Sequence, residues 1–420
     1  MKPPQKINFY RHISLGIASF KFYHMWFYIP YSKKSIMFCF SVLTKIVLGL
    51  LVFAIPVGGE IAYVVKLIIS GKAEIQEVAA IVNLVQIELM TGFKLLDLRL
   101  RRGHLKRLMD QLITEETHYD QVEHIAIQER AVMMSRYLFI GMLLGCATDV
   151  TVHSVVVPAV RGFQELPLKM DLLFFNIYDE PYFNYICVYQ IIYKPMMVTT
   201  YVALVAIPWG SMLYTIGQLD VLLYNFKKVD ILIKQAKLES KCSEDDAFNQ
   251  VFIKLLGHHQ KIKRYVKQHE PFSGLLFLEM AIVIGIIGTT AIQMLSIEIA
   301  IKNISDLFWV VMFLFLEVGM LFVTCYLGHM ITAKSHQIST VAFECPWLDR
   351  NLRLKKNLII FITHTQQPLA LVAAGLIPVS FETFTKVLHF FIRQDRHFTC
   401  WKVTMRPKMK HARLVKAYSL

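Results

Sequence analysis

The number of membrane crossings in this chain turns on Val78–Leu98, VAAIVNLVQIELMTGFKLLDL. By hydropathy alone the stretch is doubtful, because Asn83, Gln86, Glu88 and Lys94 interrupt its apolar residues. Its length nevertheless suits a bilayer, whose hydrocarbon core needs about 20 consecutive, mostly apolar helical residues. Stronger candidates lie on both sides. Ile36–Ile69 precedes it, longer than one crossing requires and broken by Gly58, Gly59 and Glu60. Tyr137–Val157, Pro195–Ile216, Phe272–Ile297, Leu307–Gly328 and Pro368–Phe391 follow it.

Loop charge settles the doubtful stretch, because Lys and Arg prefer the cytoplasmic side. Six such residues lie in the first 35 positions, six in 99–130, ten in 218–270 and five in 329–365. The alternate connections hold only Lys72, then Arg161 and Lys169, then Lys302. This two-sided bias exists only if Val78–Leu98 crosses. The sequence therefore predicts an all-α, polytopic membrane protein with seven transmembrane helices and a cytoplasmic N-terminus. Its organisation is a cytoplasmic segment 1–35, a seven-span domain 36–391 and a basic tail 392–420. The tail, with Arg393, Arg396, Lys402, Arg406 and more beyond, is expected outside and violates the charge rule. With no sustained apolar run in the first 35 residues, insertion is expected to rest on the first span.

Composition agrees. Of 420 residues 55% are hydrophobic and 18% charged, and mean hydropathy is +0.45. Soluble domains carry about 25% charged residues. The net charge of +14 lies beside hydrophobic runs, which is a topology signal and not the basic stripe of a nucleic-acid binder. Cys39, Cys146, Cys187, Cys242, Cys325, Cys345 and Cys400 show no redox or metal spacing. They read as small apolar residues.

The large inner segments look helical. Leu219, Leu222, Leu223, Phe226, Val229, Leu232 and Ile233 recur at three- and four-residue spacing, and Phe248, Phe252, Leu255 and Leu256 continue the pattern. These predict cytoplasmic helical extensions, with Lys241–Asp246 as the loop between them. The one glycosylation sequon, Asn303-Ile304-Ser305, falls in a connection expected outside.

Catalytic patterns are absent: no nucleophile elbow, zincin motif or phosphate-binding glycine loop occurs. The chain is not expected to be an enzyme, and no metal or other cofactor is implied. His258, His259 and His269 do not have zinc-site spacing. The acids inside spans, Glu88, Asp149, Glu279, Glu317 and Glu382, carry more information. Ionisable groups at that depth face protein or water, which leaves helix-to-helix hydrogen bonding and ligand or ion contact both open. Lys386 follows Glu382 by one turn, so the two can pair on one helix face or stand at the mouth of an aqueous path. Pro378, expected inside the last span, predicts a kink there.

The region from Ser335 to Leu388 resembles the carboxy-terminal signature of insect odorant receptors. It reads A-F-E-C-P-W at 342–347, then R-L-K-K-N-L-I-I-F-I-T-H-T-Q-Q-P-L-A-L-V-A-A-G at 353–375, then P-V-S-F-E-T-F-T-K-V-L at 378–388. The matching positions are Trp347, Lys355, Lys356, Gln367, Pro368, Gly375, Ser380, Thr383 and Phe384. Gustatory receptors share the layout, but their Thr-Tyr pattern ending in Gln-Phe is missing. The acidic-Arg-aromatic triplet and N-P-x-x-Y of rhodopsin-like receptors are missing too, and those receptors place the N-terminus outside. A metabotropic seven-helix receptor is the competing class. A transporter would show internal repeats, and none is visible.

The resemblance implies a subunit of an odorant-gated, non-selective cation channel in the plasma membrane of olfactory sensory neurons. In such a channel four subunits, including the family's common co-receptor, would surround a pore lined by the seventh helix. A small volatile ligand would bind among the second, third, fourth and sixth helices. There the sequence offers Val82, Val85, Gln86, Asp149, His153, Val198, Tyr201, Val310 and Leu314, an apolar set with a few orienting polar groups. Pro378, Val379, Glu382, Lys386, Val387 and Leu388 are the expected pore and gate residues. The expected partners are thus the co-receptor, the odorant and membrane lipid, without nucleic acid. Past the seventh-helix motif the chain continues as H-F-F-I-R-Q-D-R, which departs from the family pattern.

Overall fold

The computed structural model describes residues 10–23, 35–101, 103, 122–160, 162–172, 176–268, 273–297, 304–391 and 393. Positions 392 and 394–420, which hold nearly all of the basic tail, and Asn303 of the sequon lie outside them. The chain folds as an antiparallel bundle of long helices. They are α1 (Tyr10–Phe22), α2 (Ile36–Ile69), α3 (Ile75–Leu100), α4 (Val122–Val156), α5 (Tyr182–Lys227), α6 (Val229–Ser240) and α7 (Glu244–Gln268). After them come α8 (Ser273–Ile297), α9 (Ile304–Phe343) and α10 (Leu352–Thr365). A two-stranded hairpin of β1 (Val372–Ala373) and β2 (Ile377–Pro378) precedes a last helix, α11, at residues 381–391.

Five helices among the described residues, α2, α3, α4, α5 and α9, are long and apolar enough to cross a membrane. In α2, Gly58, Gly59 and Glu60 do not break the helix; its irregularity is a π-helical turn at Leu50–Ala54. The doubtful stretch around Val78–Leu98 is helical throughout as α3. Three of its polar residues, Asn83, Glu88 and Lys94, find partners on other helices. Asn83 Nδ2 donates to Thr290 Oγ1 at 3.0 Å, and Lys94 Nζ meets Glu279 Oε2 at 2.7 Å. These contacts help make the span tenable in hydrocarbon, where polar side chains must meet protein or water, although Gln86 Oε1 and Glu88 Oε2 have no hydrogen-bond partner among the described residues.

The bundle is organised around α5. At 46 residues and 1.5 Å rise per residue it extends about 69 Å, roughly twice a hydrocarbon core. From Thr200 to Ile207 every residue is buried, the pattern of a helix covered on all sides. Close approach by α1 contributes: a Cβ on Gly210 of α5 would stand 2.6 Å from the carbonyl oxygen of His12.

At one end α5 and α9 project beyond the spans and join α6, α7 and α10. The expected loop after α6 is shorter than the sequence suggested. Lys241 takes a left-handed conformation that ends α6, and Ser243 Oγ accepts from the backbone N–H of Asp246 to start α7 at Glu244. Phe361 of α10 fixes the cluster, stacking on Phe226 at 5.7 Å and meeting Phe252 edge-on at 5.6 Å. Arg350 Nη2 donates to Glu244 Oε1 at 2.7 Å from the turn before α10.

Two expectations need correction at the C-terminal end. Residues 368–391 are not one helix, and Pro378 is not a kink in it. Ala374 and Gly375 hold positive φ angles of 50° and 69°, forming a turn that an α-helix cannot contain. Pro378, without a backbone N–H, instead closes the strand pair opposite Val372. The helical part starts after Ser380, whose hydroxyl accepts from the N–H of Thr383 at 3.3 Å.

Candidate functional site

At the bundle end opposite α6 and α7, residues 162–172 and 176–181, between α4 and α5, fold back over the helices. Gln190 of α5 clamps it: its Oε1 accepts from Leu168 N–H at 2.9 Å and its Nε2 donates to Leu168 O at 3.0 Å. Asp171 N–H donates to Gly59 O at 2.9 Å, and a Cβ on Gly59 would stand 2.6 Å from the methyl of Met170. Lys66 and Lys169 pair with Asp171 and Glu77 at 2.5 and 2.8 Å. Leu166, Leu168, Met170 and Ile177 are buried on the inner side of this roof.

Beneath the roof the helices bring polar groups together. Glu60 of α2, Glu88 of α3 and Lys194 of α5 are almost fully buried and act on one another electrostatically. Tyr193 OH donates to Glu88 Oε1 at 3.5 Å, and its ring lies 5.0 Å from that of Tyr189. Further along α5, Tyr201 OH donates to Glu317 of α9 at 3.3 Å and lies 3.1 Å from Met320 Sδ. The Asp149 charge acts on both Lys194 and Glu317, which links the two groups. Asn83 and the Lys94–Glu279 pair tie α3 to α8 on the far side.

The residues expected to line a ligand site fall unevenly on this frame. Asp149 and Tyr201 join the α4–α5–α9 cluster. Gln86 stands 3.5 Å from where a Cβ on Gly285 of α8 would lie, and its Oε1 has no hydrogen-bond partner among the described residues. Val310 is buried against Ala80 and Leu84 of α3. Val198 and Leu314 are half-buried and pack on the central core, while Val82 and Val85 are half-buried on α3. The side chain of His153 lies outside the described residues. Glu60, Lys94, Tyr193 and Lys194 did not emerge from the sequence as site residues. Glu60 and Lys94 carry the signal of the other acids, an ionisable group inside an expected span, whereas Tyr193 and Lys194 precede the span expected from Pro195 and belong to a helix that begins at Tyr182.

The expected pore residues separate into two sets. Val379 is buried beside Gly328 of α9, and Pro378 is exposed in the hairpin. On α11, Glu382 and Lys386 pair at 2.7 Å with both side chains exposed, while Val387 and Leu388 are half-buried against the core. Among the described residues no group of His, Cys, Asp and Glu could hold a metal ion.

A family model described as 7tm Odorant receptor matches residues 78–392. This chain belongs to that family, a class of multi-pass membrane receptors. Putative odorant receptor 92a of Drosophila melanogaster is 25% identical over 361 residues, 82% of this chain and 83% of that protein. Matches to odorant receptors 59b and 22a of the same fly are 23% and 27% identical but span only 39% and 34% of those proteins. In three dimensions the chain is similar to the insect olfactory receptor OR5 of Machilis hrabei, with a TM-score of 0.71 and 12% identity. That match covers 91% of this chain and 95% of the other, and the fold is therefore the seven-transmembrane olfactory receptor fold. The same receptor in complex with eugenol matches with a TM-score of 0.68, covering 92% and 95%.

Proposed function

We propose that this chain is the odorant-binding subunit of a ligand-gated, non-selective cation channel, assembled with a co-receptor in the plasma membrane of olfactory sensory neurons. The supporting observation is the roofed cluster of polar groups set among apolar helices. A binding site for a small volatile needs mostly apolar walls and a few fixed polar groups. Asp149, Tyr201, Gln86 and Val310 supply that combination, and Met320, Val198 and Leu314 add apolar surface beside them. In a family of odorant receptors with a neighbour solved in complex with eugenol, the ligand is a volatile organic molecule.

In this reading the N-terminus, α6, α7 and α10 are cytoplasmic, as the loop charges require. The exposed face of α11 lines the cation path in a heterotetramer. Ligand shifts the closed–open balance by its differential affinity for the two states, and α5, which touches the roof, the polar cluster and the projecting helices, carries the bias. The test is current recording from cells expressing this chain with and without a co-receptor. Odorant-evoked cation current only with both subunits is the expected result. A response that requires G-protein turnover would replace the channel with the metabotropic class.

A further inference from the structure

Four carboxylates and two lysines are buried inside the bundle among the described residues: Glu60, Glu88, Glu279 and Glu317 against Lys94 and Lys194. Three of the acids have donors, Glu279 in the pair with Lys94, Glu317 from the Tyr201 hydroxyl, and Glu88 at Oε1 alone from the Tyr193 hydroxyl. Lys194 is left to balance both Glu60 and Glu88. Among the described residues neither oxygen of Glu60 has a hydrogen-bond partner, and neither does Oε2 of Glu88, although these residues are 1% and 0% exposed. A buried carboxylate without donors is unfavourable wherever water is excluded. Tyr193, whose hydroxyl reaches Oε1 of Glu88, carries its ring 5.0 Å from that of Tyr189, inclined by 30°.

Unpaired carboxylate oxygens and aromatic faces together form the chemistry that receives an ammonium group. We infer that the buried cluster of Glu60, Glu88, Tyr193 and Lys194 binds the polar end of an aliphatic amine. The ammonium donates to Glu60 and to Glu88 Oε2, and the alkyl chain lies along the apolar helix faces. Lys194 offsets one of the two carboxylates, so the site accepts a single positive charge and prefers monoamines to diamines. This inference names a ligand class for the receptor and rests on the odorant-binding reading above.

Two measurements test it: current from the subunit with its co-receptor, and thermal stabilisation of the purified full chain. The probes are hexylamine, hexanol, hexyl methyl ketone and hexanediamine. Hexylamine should stabilise the chain most and open the channel at the lowest concentration. Glu60→Gln and Glu88→Gln should each weaken its effect about ten- to a hundredfold, the worth of one hydrogen bond to a charged group. If a glutamine variant fails to fold, Tyr193→Leu should weaken hexylamine and leave hexanol unaffected. Equal stabilisation by hexanol or the ketone overturns the inference, as does unchanged amine binding in folded glutamine variants. Channel opening by other odorants with no amine stabilisation defeats the amine site and keeps the channel. Amine stabilisation lost in the variants, without current under any condition, keeps the amine site and defeats the channel.

Discussion

The backbone carbonyl of Val379 occupies the place where a Cβ on Gly328 would stand. Through that contact the hairpin before α11 is seated on α9, and Ser335 Oγ reinforces it by accepting from Leu369 N–H at 2.8 Å. The obstacle is backbone, so it cannot swing aside as a side chain would. Gly328→Ala should destabilise the protein by about 1–3 kcal/mol or more, the range for overpacking. Gly319→Ala on the same helix, where nothing lies within 4 Å, should be neutral or slightly stabilising. Melting of the two purified variants checks the contrast, and an equal loss in both would remove the contact's importance.

The Lys94–Glu279 pair joins α3 to α8 at 2.7 Å with side chains 3% and 5% exposed. Breaking such a pair by removing one partner leaves a charge in a dry interior, at about 3–5 kcal/mol. Lys94→Met should therefore reduce surface expression and melting temperature sharply. Lys94→Met with Glu279→Met should recover most of the loss, because packed apolar residues replace buried ion pairs at little penalty. A double variant as unstable as the single one would show that the lysine acts elsewhere.

This pair also shows where the sequence runs out. Hydropathy marks Val78–Leu98 as a poor span because of Lys94, Glu88 and Asn83, yet those residues are what bind α3 to α5 and α8. Their partners lie 105 or more positions away, beyond the reach of any local pattern. Periodicity and loop charge were enough for the long helices, and for the extensions around Phe226 and Phe252. They were not enough for residues 368–391, where the apolar content is that of a span and the turn depends on positive φ at Ala374 and Gly375. Lys194 is not legible for a different reason: hydropathy starts the span at Pro195, whereas the helix begins at Tyr182, so a lysine that carries the meaning of an ionisable group in a span falls just outside the expected one.

Acid should weaken the projecting helices. Burial lowers the pKa of His258 on α7 from 6.5 to about 4, helped by the nearby charges of Lys261, His124 and His259. Burial does the same to His259, to about 4, with Lys263 adding to it. Both rings stay neutral in the folded state, and His258 Nε2 bonds Gln218 at 2.9 Å. The unfolded chain takes up these protons near pH 6.5, so stability is whole above that pH and declines as pH falls toward about 4. Each ring contributes a slope of up to about 1.4 kcal/mol per pH unit. His259→Phe, which keeps an aromatic against Phe361, should flatten the fall in melting temperature between pH 7 and pH 5.

Orientation is open to a direct check. If loop charge sets topology, an epitope inserted at the turn after Ser240 is hidden from antibody on intact cells and stains after permeabilisation. An epitope near Gly162, in the segment that roofs the site, should stain without permeabilisation. Staining in the reverse order would invert the bundle and move the ligand site to the cytoplasmic side.

The cation path is the last relationship to test. Glu382, Lys386 and His389 are exposed and recur one turn apart on α11, while Val387 and Leu388 are half-buried against the core. An exposed polar stripe on a helix held by its apolar face suits a water-filled path, where flanking charge sets ion preference. Ligand coupling of about 1–3 kcal/mol can operate such a gate only if closed and open states lie near balance, so small changes in the seating of α11 should produce leak. Leu388→Ala, co-expressed with the co-receptor and recorded without odorant, should raise basal current by loosening that seating. Glu382→Gln should lower cation preference and Lys386→Gln should raise it, both read as shifts in reversal potential with surface expression unchanged. Substitutions on both faces of α11 that leave basal current and permeability as they were would place the path elsewhere in the assembly.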